Sequence, residues 1–231
     1  MSFEYDGMPQ GDDWMEHYDR RNLVNGKDSF DIRLMQDLNE VGVRAYTVGD
    51  LNRAARSVPP AIPVFVDWLD HLDDRVPGEE TPHRSALRRS LLTALDDPAA
   101  KGNRAAADAV YAQLQRTSPP LENHMQIRAM EILARIGTKN DYDRMLVLAR
   151  RPDLDTGKRI ALVRYLGRFR RPESREVALS YLPIEFVQQE AIRALGKIGT
   201  ADDIDAITAY ADDENPRVRR AVETALTKLQ G

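Results

Sequence analysis

One pattern recurs along this chain and limits what it can fold into. In VQQEAIRALGKIG, residues 187–199, the apolar positions Val187, Ala191, Ala194, Leu195 and Ile198 stand at i, i+4, i+7, i+8 and i+11, one stripe of an α-helix. The same template fits Met125–Gly137, Lys158–Arg170, Val218–Gln230 and, less closely, Leu87–Asp97. Successive starts are 38, 33, 29 and 31 residues apart, the period of a helical-hairpin solenoid. Four of the copies each follow a second helical stretch: Asn103–Arg116, Lys139–Arg150, Pro172–Leu182 and Ala201–Asp213. Breaks at Ser118-Pro119-Pro120, Pro152, Pro183 and Asn215-Pro216 separate the two helices of a pair, helix A then helix B. Gly137-Thr138 and Gly199-Thr200 separate one pair from the next. There glycine is expected to stop helix B in the left-handed conformation and threonine to cap the next helix A.

The N-terminal third reads differently. Residues 1–19 carry Glu4, Asp6, Asp12, Asp13, Glu16 and Asp19 and no Lys or Arg, so residues 1–27 are expected to be a flexible or loosely docked acidic tail. The aromatics Phe3, Tyr5, Trp14 and Tyr18 leave room for a short helix over Asp12–Arg20 that folds onto something. Residues 28–58 form a two-helix cap: Ser29–Glu40, with Phe30, Leu34, Met35 and Leu38 inward, and a helix opened by Thr47 with Asp50 three residues on, close to a capping box. Residues 59–231 are the repeat array, opened by Pro59-Pro60 and an apolar helix over Ala61–Leu72. Pro63 is tolerable only in that helix's first turn.

Charge and composition narrow the function. Residues 1–80 hold 17 Asp and Glu against 8 Lys and Arg, a net of −9, whereas residues 81–231 hold 20 against 25, a net of +5. With no cysteine there is no disulfide, thiolate nucleophile or zinc-thiolate site, and His17, His71, His83 and His124 lack the spacing of a metal pair. A cytoplasmic protein with no metal or cofactor is expected. No apolar run is long enough for a membrane helix, and the acidic, polar stretch MSFEYDGMPQGDDWMEHYDRR lacks an apolar h-region behind a basic N-terminus, so export is not expected.

The A-L-G-x-I-G ending of Ala194–Gly199, with the Val218-Arg219 opening, resembles the HEAT-like repeat in its bacterial, phycobilisome-lyase-type form. The resemblance runs over about Ala61–Gly231 and is closest from His124 onward. It implies an all-α, right-handed α-solenoid of about five antiparallel helix pairs behind the two-helix cap. It implies no one activity, because that superfamily spans chromophore lyases, DNA glycosylases, toxin-immunity proteins and scaffolds.

In such solenoids the exposed arc of the B helices lines the concave face, so the site is sought there. Template position eleven reads Arg135, Arg168, Lys197 and Lys228, and position seven reads Glu131, Arg164, Arg193 and Thr224. Stacked neighbours would gather Arg164, Arg168, Arg193 and Lys197 into one basic patch, with Arg135 and Lys228 extending it. A cation in a helix's last turn also complements the helix dipole, which accounts for position eleven but not for Arg164 and Arg193 in mid-helix. Asp67-Trp68, with nearby Asp70, has the carboxylate-plus-aromatic look of the HEAT-like glycosylases, yet Trp68 sits in an apolar run and reads as core. Asp141, Asp143, Asp202, Asp203 and Asp205 fall in first turns, where negative charge stabilises a helix without any catalytic role.

The expectation is therefore a non-enzymatic protein-interaction module or scaffold, of immunity or adaptor type, that binds an acidic or extended segment of another protein on its concave face. The alternative is a nucleic-acid-binding or glycosylase-type protein using the same basic groove. A sequence pI near 5.7 and a basic column without interleaved aromatics disfavour that alternative.

Overall fold

The computed structural model describes residues 3–16 and 31–231, and every regular element among them is helical. The chain divides into two compact units, 1–137 and 138–231, so the boundary at Gly137–Thr138 falls inside the stretch 59–231 read as a single array.

In the first unit, helix α1 (Ile32–Glu40) is capped by Asp31, whose carboxylate accepts from the Arg33 amide, and it buries Leu34, Met35 and Leu38. The expected start at Ser29 lies outside the described residues. Gly42, at φ 78°, turns the chain out of α1, a conformation open to glycine and costly for other residues. Helix α2 (Val48–Ala54) is capped by Thr47 as expected. The long helix expected over Ala61–Leu72 is interrupted: α3 (Ile62–Asp70) stops at His71 and a separate single turn, α4 (Leu72–Arg75), follows. Helices α5 (Pro82–Ala94), α6 (Arg104–Gln115) and α7 (Asn123–Ile136) complete the unit. The A helices α3 and α6 pack side by side, as do the B helices α5 and α7, and each A packs on its own B.

Residues 3–16, the described part of the stretch expected to be flexible or loosely docked, are docked. Trp14 is fully buried in the short turn Trp14–Glu16, its ring 5.6 Å from that of Tyr46, and the Tyr5 hydroxyl donates to the Arg44 carbonyl at 2.7 Å. Burying one tryptophan side chain contributes on the order of 2 to 3 kcal/mol, enough to offset the ordering of a few residues. The remainder of the expected tail, residues 17–27, lies outside the described residues.

The second unit repeats one construction. Helices α8 (Tyr142–Ala149), α10 (Pro172–Tyr181) and α12 (Ile204–Thr208) are the A helices, and α9 (Thr156–Leu166), α11 (Gln188–Ile198) and α13 (Pro216–Gln230) the B helices. Here α9 packs on α11 and α11 on α13, while α8 meets α10. Thr138 with Asp141 and Thr200 with Asp203 form capping boxes that open α8 and α12 through short 3-10 turns. Both acids are buried, and each binds an arginine: Asp141 pairs with Arg144, and Asp203 holds the Arg175 guanidinium of α10 at 2.7 Å. The left-handed stop expected at Gly137 and Gly199 is corrected, because both are extended, at φ −64° and φ −72°. Gly199 is needed for space: a Cβ there would lie 2.6 Å from the Leu195 carbonyl oxygen and 2.8 Å from Asp203 Oδ2. The capping box leaves no room for a side chain.

Candidate functional site

The floor of the site comes from a contact repeated between B helices. Template position ten is glycine in two copies and position eight of the next copy is alanine, and the two meet. A Cβ on Gly167 would lie 2.7 Å from the Ala194 Cβ, and one on Gly196 would lie 2.9 Å from the Ala225 Cα and Cβ. With no side chains to hold them apart, α9, α11 and α13 approach closely and leave a shallow floor. Val163, Gly167, Ala194, Gly196, Ala221 and Ala225 line a groove of about 460 Å³ above it.

Its walls are charged. Arg164, Arg193, Lys197 and Lys228 all line the groove, with Thr224 and one acid, Glu190. Position seven and position eleven thus arrive on one surface because the apolar stripe beneath them (Leu162, Leu166, Ala191, Leu195, Val222) is buried, turning the opposite arc outward. Glu190 accepts from Arg164 Nη2 at 2.9 Å and from Arg193 Nη1 at 2.8 Å. Its side chain is 11% exposed; burial pushes its pKa up, but the two guanidiniums outweigh burial and hold it below the ordinary value, so it remains an anion. Neither Lys197 nor Lys228 makes an ion pair among the described residues. A second hollow, lined by Arg170, Gly199, Thr200, Ala201 and Leu229, continues the groove through Gly196, Lys197 and Lys228. There the Arg170 Nε donates to the Lys197 carbonyl at 3.0 Å.

Two residues expected in the column are not among those lining this groove. Arg168 follows the end of α9 at Leu166, so helical phase no longer directs it. Its guanidinium lies 4.5 Å from the Tyr165 ring centre and 5.4 Å from that of Phe169, and burial lowers its pKa. Phe169 stands edge-on to Tyr142, with Arg171 stacked 3.9 Å over the Tyr142 ring. Basic and aromatic groups are therefore interleaved here, which the sequence reading did not anticipate. The aromatics are occupied by the protein's own arginines. Arg135 belongs to the first unit, where it and Arg128 reach Asp96 at 2.9 and 2.7 Å.

The glycosylase-like pair also has other partners. Trp68 is fully buried and its indole nitrogen donates to Asp37 at 2.6 Å, with Arg75 stacked 4.5 Å over the ring. Asp67 is held by Arg75 and His71. Among the described residues no group of His, Asp or Glu is arranged to hold a metal ion.

Two features escaped the sequence reading. Glu190 stands three residues before Arg193, the spacing of an intrahelical ion pair, and that signal was available. In the first unit, Arg88, 4% exposed in its side chain, bonds Glu80, Asp73 and Gln113, while Arg116 reaches the same two acids. Burial raises the Asp73 pKa, but its bonds to Arg116 and Arg88 carry it down to about 2. A cleft of about 290 Å³ lies beside this network, between Arg89, Leu92, Pro120 and Met125. Of the three arginines lining it, Arg88 and Arg116 are engaged internally.

Residues 144–227, from α8 to α13, match the model of the family described as HEAT repeats, and this stretch is HEAT-like. No curated protein and no solved structure matches the chain. HEAT repeats are commonly protein-interaction scaffolds, and among the described residues no helix is long and apolar enough to cross a membrane.

Proposed function

We propose that the chain is a non-enzymatic interaction module, of adaptor or immunity type, that holds an acidic, extended segment of another protein in the groove of α9, α11 and α13. The groove itself supports this reading: a floor of glycine and alanine that admits a peptide backbone, walled by Arg164, Arg193, Lys197 and Lys228 against the single acid Glu190. A narrow apolar floor between charged walls recognises main chain and carboxylates together, which suits a peptide better than a phosphate backbone. The narrower likeness, to bacterial phycobilisome-lyase-type repeats, rests on Ala194–Gly199.

The test is a salt series of binding to a glutamate-rich peptide containing alanine and glycine, and to duplex DNA. Tighter binding to the peptide at near-physiological salt is expected, weakened more than tenfold by Lys197→Glu with Lys228→Glu. Tighter binding to DNA, with a steep salt slope, would replace this reading with the nucleic-acid alternative.

A further inference from the structure

We infer that the groove is electrically polarised along its length, and that the acidic part of the bound segment seats at the Lys197–Lys228 end while its small apolar part runs over the glycine–alanine floor. This rests on the groove being the binding face. At one end Arg164, Glu190 and Arg193 form a closed set. Both guanidiniums converge on the same Glu190 Oε1, at 2.9 and 2.8 Å, so three charged groups sum to one positive charge and their best-placed donors are taken. An incoming carboxylate there would have to compete with an ionised residue already desolvated between the two arginines. At the other end Lys197 and Lys228 face the groove without an ion pair among the described residues. Arg170, tied to the Lys197 carbonyl, adds a third positive charge in the adjoining hollow. Three uncompensated cations at one end against one net charge at the other give the groove a direction.

Between them the floor is made of small groups. Gly167 lies against Ala194 and Gly196 against Ala225, so the surface offered to the middle of a ligand is backbone and methyl groups. The matching segment has small residues beside its acidic run.

The experiment measures fluorescence anisotropy of the full chain with a labelled peptide of alanine and glycine ending in three glutamates, and with its glutamine counterpart. Wild type should prefer the acidic peptide. Lys197→Gln with Lys228→Gln should weaken it about fivefold to tenfold, as expected for losing two exposed charge contacts. The triple change Arg164→Gln, Glu190→Gln and Arg193→Gln removes the closed set without leaving a bare carboxylate, and should weaken it less than about twofold. Circular dichroism confirms that each variant is folded, and Lys197→Gln alone serves if a multiple variant is not. Equal losses from the two sets overturn the polarity and leave the groove as the binding face. A wild type with no preference for the acidic peptide overturns both.

Discussion

Gly196 packs against Ala225 so closely that a Cβ placed on it would sit 2.9 Å from both the Cα and the Cβ of Ala225. The obstruction includes backbone, which cannot rotate aside. Gly196→Ala gains about 1 kcal/mol of helix propensity but overpacks the α11–α13 contact, which typically costs 1 to 3 kcal/mol, so a net loss of about 1 kcal/mol is expected. Urea unfolding checks it. A stabilised Gly196→Ala protein would show that the B helices are not held this close.

Leu195 is fully buried beneath the groove, whereas Arg193, two residues earlier, lies on its wall. Leu195→Ala should destabilise by about 2 to 5 kcal/mol and Arg193→Ala by about 0.5 kcal/mol. Equal losses in chemical denaturation would contradict the helical phase that puts position seven on the surface.

Acid should loosen the first unit through Asp73. Its pKa is depressed from 3.8 to about 2, so the folded state binds this proton less readily than the unfolded chain. The stabilisation is complete above about pH 4 and disappears as pH falls toward 2. Wild type should therefore be more stable than Asp73→Asn at pH 6, and the difference should shrink through that window. A difference that stays constant down to pH 2 would mean the arginines do not hold an ionised Asp73.

Phe186 occupies the turn between α10 and α11 at φ 65°, with 70% of its surface exposed. A bulky residue is strained there, and little packing is lost by removing it. Phe186→Gly should raise stability by about 0.5 to 1 kcal/mol, because relief of strain exceeds glycine's extra freedom in the unfolded chain. A fall in melting temperature would show that the ring contributes more packing than its exposure indicates.

Much of this fold was legible because a 3.6-residue period survives in single helices. The stripes of α7, α11 and α13, and the caps Thr47, Thr138 and Thr200, follow from local sequence. Where the reading failed or stayed open, contacts that helical periodicity does not encode decide the outcome. Trp14 is ordered by Tyr46, and Gly199 is extended because Asp203 folds back onto the Thr200 amide. The site was half legible for the same reason. Helical phase brings Arg164, Arg193, Lys197 and Lys228 to one groove, but Arg168 lies past the end of its helix and turns onto Tyr165 and Phe169. That α12 spans only Ile204–Thr208, where Ala201–Asp213 was expected, has no signal in its composition.

The most direct measurement is the map of amide chemical shifts when the glutamate-ended peptide is titrated into the isotope-labelled full chain. If the groove is the binding face, shifts should cluster at Gly167, Ala194, Gly196, Lys197, Ala225 and Lys228, and vanish with Lys197→Glu and Lys228→Glu. Shifts confined to residues 31–137, or spread evenly over exposed cations such as Arg104 and Arg151, would contradict it.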